Sequence, residues 1–197
     1  MKVLIVHNHY QQHGGEDGVF EAEAQLLEQM GHRVIRYSVH NDDVDRINSI
    51  RLATSTVWNF QRAREISSLV EEKKIDVAHF HNTFPLISPS AYYGARSGGA
   101  VVIQTIHNYR LTCLNATLFR NGTTCDACVG RMPWRGVLGR CYRNSLAASS
   151  VTAAMLSFHR LRGTWKKQVN RYIALTNFAK RKLIEGGIPE TLISVKP

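Results

Sequence analysis

The chain has 197 residues, 44% of them hydrophobic and 20% charged, which is enough for one sizeable core, or one domain with an inserted subdomain, and excludes a disordered chain. No run of about 18 apolar residues occurs, which excludes a membrane-spanning helix. The net charge of +10 is unevenly spread: Met1 to Tyr109 holds ten basic and twelve acidic residues, whereas Arg110 to Arg171 holds eleven basic residues and one acid, Asp126.

The apolar opening ends at Val6 and turns polar with His7-Asn8-His9. It is too short for a secretory signal, so a cytoplasmic protein is expected, and the sequons at Asn115 and Asn121 carry no meaning. Lys2 to His7 reads as a buried parallel strand. Gly14-Gly15-Glu16 is a loop. Glu16 to Met30 is a helix with Val19, Phe20, Leu26, Leu27 and Met30 on one face, closed by Gly31. Arg33 to Val39 is a strand, Asn59 to Lys74 an amphipathic helix and Asp76 to His81 a strand. Ser88-Pro89 opens a short helix, and Ala100 to Ile106 is a strand. After an interruption come a strand at Tyr172 to Leu175, a helix at Asn177 to Glu185 and a short strand at Leu192 to Val195. The alternation predicts an α/β fold, an open parallel sheet with helices on both faces. The interruption, Tyr109 to Arg143, lacks periodicity and holds all four cysteines. Leu146 to Arg162 reads as an apolar helix turning basic. The chain stops directly after a strand, which points to a connection onward.

In open α/β sheets, ligands bind outside the carboxyl ends of the strands. Gly14-Gly15 there lets backbone N–H groups approach an anion at a helix N-terminus, or is a plain turn; the full dinucleotide pattern G-x-G-x-x-G is missing. Two strands end alike, in His81-Asn82 and His107-Asn108. An imidazole there can hold a sugar hydroxyl or exchange a proton, and an amide can donate and accept. Cys113, Cys125, Cys128 and Cys141 include the tight pair Cys125-Asp126-Ala127-Cys128. In a cytosolic chain this reads as a tetrahedral zinc site, structural because four thiolates fill the coordination sphere. An iron–sulfur cluster takes the same ligands, and two disulfides or free thiols remain open. Val151, Met155, Leu156 and Phe158, followed by Arg160, Arg162, Trp165, Lys166, Lys167 and Arg171, can lie on an anionic membrane or form a core helix with a basic exit.

The order of motifs resembles the N-terminal half of retaining family-four glycosyltransferases. The motifs are Gly14-Gly15-Glu16-Asp17, Asp76-Val77-Ala78-His79-Phe80-His81-Asn82, Thr105-Ile106-His107-Asn108-Tyr109-Arg110 and Tyr172-Ile173-Ala174-Leu175-Thr176-Asn177-Phe178-Ala179-Lys180. The cysteine segment resembles a subgroup in which Asn108-Tyr109-Arg110-Leu111-x-Cys113 and Arg140-Cys141-Tyr142-Arg143 flank the knuckle. The resemblance implies the two-domain GT-B fold, here a Rossmann-like N-terminal domain over 1–197 with a four-cysteine insert at 109–143. The C-terminal donor-binding domain and its Glu-x7-Glu motif are absent, and Lys196-Pro197 resembles the start of the interdomain linker.

The resemblance implies a nucleotide-sugar substrate, with Gly14, Gly15 and Glu16 on the donor-phosphate side and His107 as the catalytic histidine near the reacting sugar. His81, Asn82 and Asn108 join the donor or acceptor surface, and Arg110 and Arg143 are candidates for an anionic acceptor or phosphate. The missing donor-binding domain is an expected partner. So is a glycan or lipid-linked acceptor of polysaccharide biosynthesis at the inner membrane face. Two other readings compete. A metal-dependent hydrolase would use His7, His9 and His13, or His79 and His81, which share a strand face, but no carboxylate stands at a convincing spacing. A zinc-knuckle nucleic-acid module would use the basic segment, which lacks the aromatic interleaving of a single-strand binder.

Overall fold

The computed structural model of the chain describes residues 1–196; Pro197, named above in the expected linker, lies outside the described residues. The chain divides into two compact units, Met1–Thr105 with Gln168–Asn170, and Ile106–Lys167 with the residues from Arg171 onward.

The first unit is built on β1 (Lys2–His9), followed by α1 (Gly15–Gln29), β2 (Arg33–His40), α2 (Ser49–Val57), α3 (Phe60–Lys73), β3 (Val77–Phe80), α4 (Ser90–Ser97) and β4 (Val101–Ile106). The strands run parallel in the order β2-β1-β3-β4. Central β1 is buried on both faces through Val3, Leu4, Ile5 and Val6, which is why it reads as a continuous apolar run. One sheet face carries Ile5 and is covered by Phe20 and Ala24 of α1, with Val34 packed alongside. On the other face, Tyr92 of α4 meets the Phe80 ring at 4.9 Å and hydrogen-bonds Gln104. The expectation of helices on both faces holds in this unit.

One sequence expectation needs correcting, and one stretch without an expected element is filled. The packed stripe of α1 is Asp17, Phe20 and Ala24, while Leu26 and Met30 are exposed; a buried carboxylate replaces the expected apolar residues. A 3₁₀-helix at Asn41–Arg46 and the helix α2 fill a stretch that the periodicity left blank. α2 is capped by Asn48, whose side-chain oxygen accepts from Ile50 N–H at 2.9 Å, a signal visible in the sequence.

The second unit holds the cysteine segment. A hairpin pairs β5 (Phe119–Arg120) with β6 (Thr123–Thr124). Its turn, Asn121-Gly122, has φ of 52° and 78°, the left-handed pair that this dipeptide favours. Then come α5 (Trp134–Leu138), α6 (Leu146–Leu161), α7 (Thr164–Lys167), β7 (Arg171–Ala174), α8 (Asn177–Glu185) and β8 (Ile193–Val195), with β7 and β8 parallel. Its core includes Leu114, Met155, Leu156, Tyr172 and Leu183. Met155 and Leu156, placed on a lipid-facing surface in one sequence reading, are thus core residues, while Phe158 and Leu161 stay exposed. Among the described residues no helix is long and apolar enough to cross a membrane.

Candidate functional site

At the carboxyl end of β1 the chain turns through Tyr10 to Gly14 into α1. Gly14 is the N-cap in extended conformation, and its N–H donates to Asp17 Oδ2 at 2.7 Å. A Cβ built on Gly15 would meet nothing within 4 Å. The lack of a side chain at Gly15 is therefore not demanded by packing, and the space at its Cβ position is open. Glu16 is held by the Tyr10 hydroxyl, which donates to its Oε2 at 3.0 Å.

Behind this loop lies a layer of histidines. Side chains alternate along a strand, so His7 and His9 of β1 share a face with His79 of β3 and, one step past its end, His81. The register pairs Ile5 with His79, and His81 N–H continues the ladder to the Val6 carbonyl at 2.9 Å. α1 lies over this face. Phe20 stacks on His7 at 5.0 Å and meets His9 and His81 edge-on at 5.5 and 5.8 Å. Asp17 accepts from His7 Nε2 and His9 Nδ1, both at 2.9 Å. Burial pushes the His7 imidazole down to about 4 against the pull of Asp17, so His7 is neutral at pH 7. Burial also opposes the charge on Asp17, but the Gly14 N–H and the two imidazoles outweigh it and hold the carboxyl at about 2. Glu23, two turns on, faces His79 and His81. The carboxylates missing from the strand motifs thus come from the helix. His13 is exposed and joins neither group.

The amides of the strand-end motifs turn inward. Asn8 donates to Asn41 Oδ1 at 2.8 Å and accepts from Leu86 N–H at 3.0 Å. Asn82 donates to the Asn8 carbonyl at 2.9 Å and accepts from Phe84 N–H at 3.0 Å. His81 is 3% and Asn82 8% exposed. Both expected site residues are buried within this unit.

In the second unit, His107 and Asn108 are half-buried just past β4. Asn108 Oδ1 accepts from Arg110 N–H at 3.0 Å, fixing the turn. Arg110 donates to the Leu114 carbonyl and stacks over Tyr142 at 4.8 Å, and Arg143, exposed, approaches the same ring at 5.7 Å. The structure therefore joins the two arginines around Tyr142, a residue the sequence reading passed over although it sits in the quoted motif.

Cys113, Cys125, Cys128 and Cys141 are free thiols lining one cavity of about 20 Å³. Burial, together with Cys113, Cys141 and Cys125, pushes the Cys128 thiol up, while the Gly136 N–H opposes this. Arg160 donates through Nη1 to the Arg131 carbonyl, but its Nε and Nη2 are buried with no hydrogen-bond partner. Burial weakens the protonated guanidinium and the nearby Cys128 offsets part of that. A set of four sulfurs around a space of one small sphere, with a half-buried arginine beside it, fits a thiolate-bound metal ion.

A sequence profile described as Glycosyltransferase Family 4 matches residues 14–197. No curated protein matches the chain in sequence. Among solved structures the chain is similar to a glycosyltransferase from Rickettsia africae ESF-5, at 20% identity and TM-score 0.50, over 98% of this chain and 42% of that one. It is also similar to the apo form of the lipopolysaccharide outer core galactosyltransferase WaaB, at 11% identity and TM-score 0.55, over 99% of this chain and 45% of that one. At such identities the likeness concerns the fold, and the chain spans less than half the length of either structure.

Proposed function

Because the chain belongs to the family described as Glycosyltransferase Family 4, we propose that it forms the N-terminal, acceptor-side half of a two-domain GT-B glycosyltransferase that moves a sugar from a nucleotide-sugar donor to an acceptor hydroxyl with retention. In that reaction the bond from the anomeric carbon to the donor phosphate breaks, a bond to the acceptor oxygen forms on the same face, and the acceptor proton leaves with the nucleotide. The observation that carries the reading is the family match from Gly14 onward, taken with the open space at Gly15. A diphosphate can approach the backbone there, favoured by the N-terminus of a 15-residue helix. Asp17 occupies Gly14 N–H, so the approach is assigned to the Gly15 and Glu16 side of the turn.

His107, with Asn108, orients the donor sugar and steadies charge as the glycosidic bond to phosphate breaks. Arg110 and Arg143, gathered around Tyr142, meet an anionic acceptor or phosphate. His81 and Asn82, being buried, hold the strand end and do not touch sugar. The four cysteines bind one structural zinc ion, which ties together a segment poor in apolar core; a cavity of about 20 Å³ suits a single ion better than a multi-iron cluster. The remaining partners in this reading are the C-terminal donor-binding domain, a glycan or lipid-linked acceptor, and an anionic membrane surface met by Arg162, Lys166 and Lys167 from the cytoplasmic side.

The test is His107→Ala in the full-length enzyme. The expected result is a kcat lowered about 100-fold or more with an unchanged melting temperature. A destabilised protein with no selective loss of turnover overturns the role of His107.

A further inference from the structure

The cluster of His79, His81 and Glu23 in the first unit is not used by the reading above. Its three donor groups converge. Glu23 Oε2 lies 3.2 Å from His81 Nε2 and 3.7 Å from His79 Nδ1, and the ligand atoms of all three lie within 4.8 Å of one another. A tetrahedral ion with bonds of about 2.0–2.1 Å holds its ligand atoms roughly 3.3–3.4 Å apart. The two separations measured from Glu23 bracket that edge.

The surroundings suit a metal as well. His79 Nε2 is 2.8 Å from Thr105 Oγ1. With its proton on Nε2 donated to that hydroxyl, the ring keeps a lone pair on Nδ1, aimed at Glu23; outer partners of this kind fix the tautomer of metal-bound histidines. The His79 and His81 rings stand 4.6 Å apart on one sheet face, held there by strand alternation. Both are buried, and although the Glu23 side chain keeps 14% of its surface exposed, its Oε2 and the His81 Nε2 are enclosed, as the donor atoms of a buried ion are.

We propose that His79, His81 and Glu23 form a site for a first-row divalent cation of the zinc type, separate from the four-cysteine cavity. Two imidazoles and one carboxylate favour such an ion over magnesium or calcium, which take oxygen ligands. The ion links α1, which supplies Glu23, to the end of β3, which supplies the histidines. Because α1 begins at Gly15, binding steadies the loop in front of it. The inference does not depend on the glycosyltransferase reading.

The experiment is a Co²⁺ titration of the metal-stripped chain, followed by visible absorption, with Cys125→Ser/Cys128→Ser as a parallel variant. The wild-type chain takes two equivalents, one with thiolate-to-cobalt charge-transfer bands and one with d–d bands alone. The cysteine variant keeps only the second. Glu23→Gln removes that second equivalent from either background with secondary structure unchanged, and Thr105→Val weakens it about 10–100-fold. Should the cysteine variant fail to fold, Glu23→Gln in the wild-type background still reads the change from two equivalents to one. A folded chain that shows only the thiolate-bound equivalent, or a Glu23→Gln variant that binds as the parent does, overturns the proposal.

Discussion

Asp17 ties the loop before α1 to the end of β1. One oxygen caps α1 through the Gly14 N–H, and the other accepts from His7 and His9. At 2% exposure the carboxylate keeps its charge only because three donors compensate its lost hydration. The consequence is pH dependence of a known sign. His7 titrates near 4 when folded against 6.5 for the free side chain, so the unfolded chain binds its proton first as pH falls. The contribution of His7 is therefore complete above 6.5 and lost between 6.5 and 4; Asp17, at about 2 against 3.8, loses its own contribution below that. Urea unfolding in the presence of a chelator is expected to show a loss on the order of 3 kcal/mol between pH 6.5 and 4, and His7→Gln is expected to flatten that slope. The histidines were legible in the sequence because they close strand motifs. Their carboxylate partners were not, because Asp17 and Glu23 belong to a different element and only the folded helix brings them over the sheet.

Two helices of the first unit meet with no space to spare. A Cβ on Gly94 of α4 would lie 2.1 Å from the Ala63 carbonyl oxygen of α3, and one on Gly98 would lie 2.8 Å from the Val70 side chain. Glycine is otherwise about 1 kcal/mol worse than alanine inside a helix, so its presence at 94 marks the close approach. Gly94→Ala is expected to cost about 1–3 kcal/mol of stability by overpacking, measured by urea unfolding. A variant as stable as the parent would show that α3 and α4 have freedom to separate. The strands and longer helices of the fold were readable from period and from Gly and Pro punctuation. α1 misled because Leu26 and Met30 suggest an apolar stripe, yet its packed face is set by Asp17 and Phe20 against histidines. The cysteine segment looked unstructured by periodicity, but the Asn121-Gly122 dipeptide signalled a hairpin whose strands are too short to show alternation.

For the molecule as a whole, the basic excess falls on the segment from Arg110 to Arg171, nearly all of it in the second unit, while the first unit carries the balanced charge, the glycine turn and the histidine layer. Family membership rests on the long match from residue 14, and the fold on likeness to structures more than twice as long. The activity proposed for the complete enzyme needs a donor to reach the backbone at Gly15. The most direct test is Gly15→Leu in the full-length protein, followed by melting temperature and by the KM for the nucleotide sugar. Open space at this position predicts an unchanged melting temperature and a KM raised at least about tenfold, equivalent to roughly 1.4 kcal/mol of lost binding. A variant with unaltered kcat/KM would contradict the account, because the phosphates would then lie elsewhere.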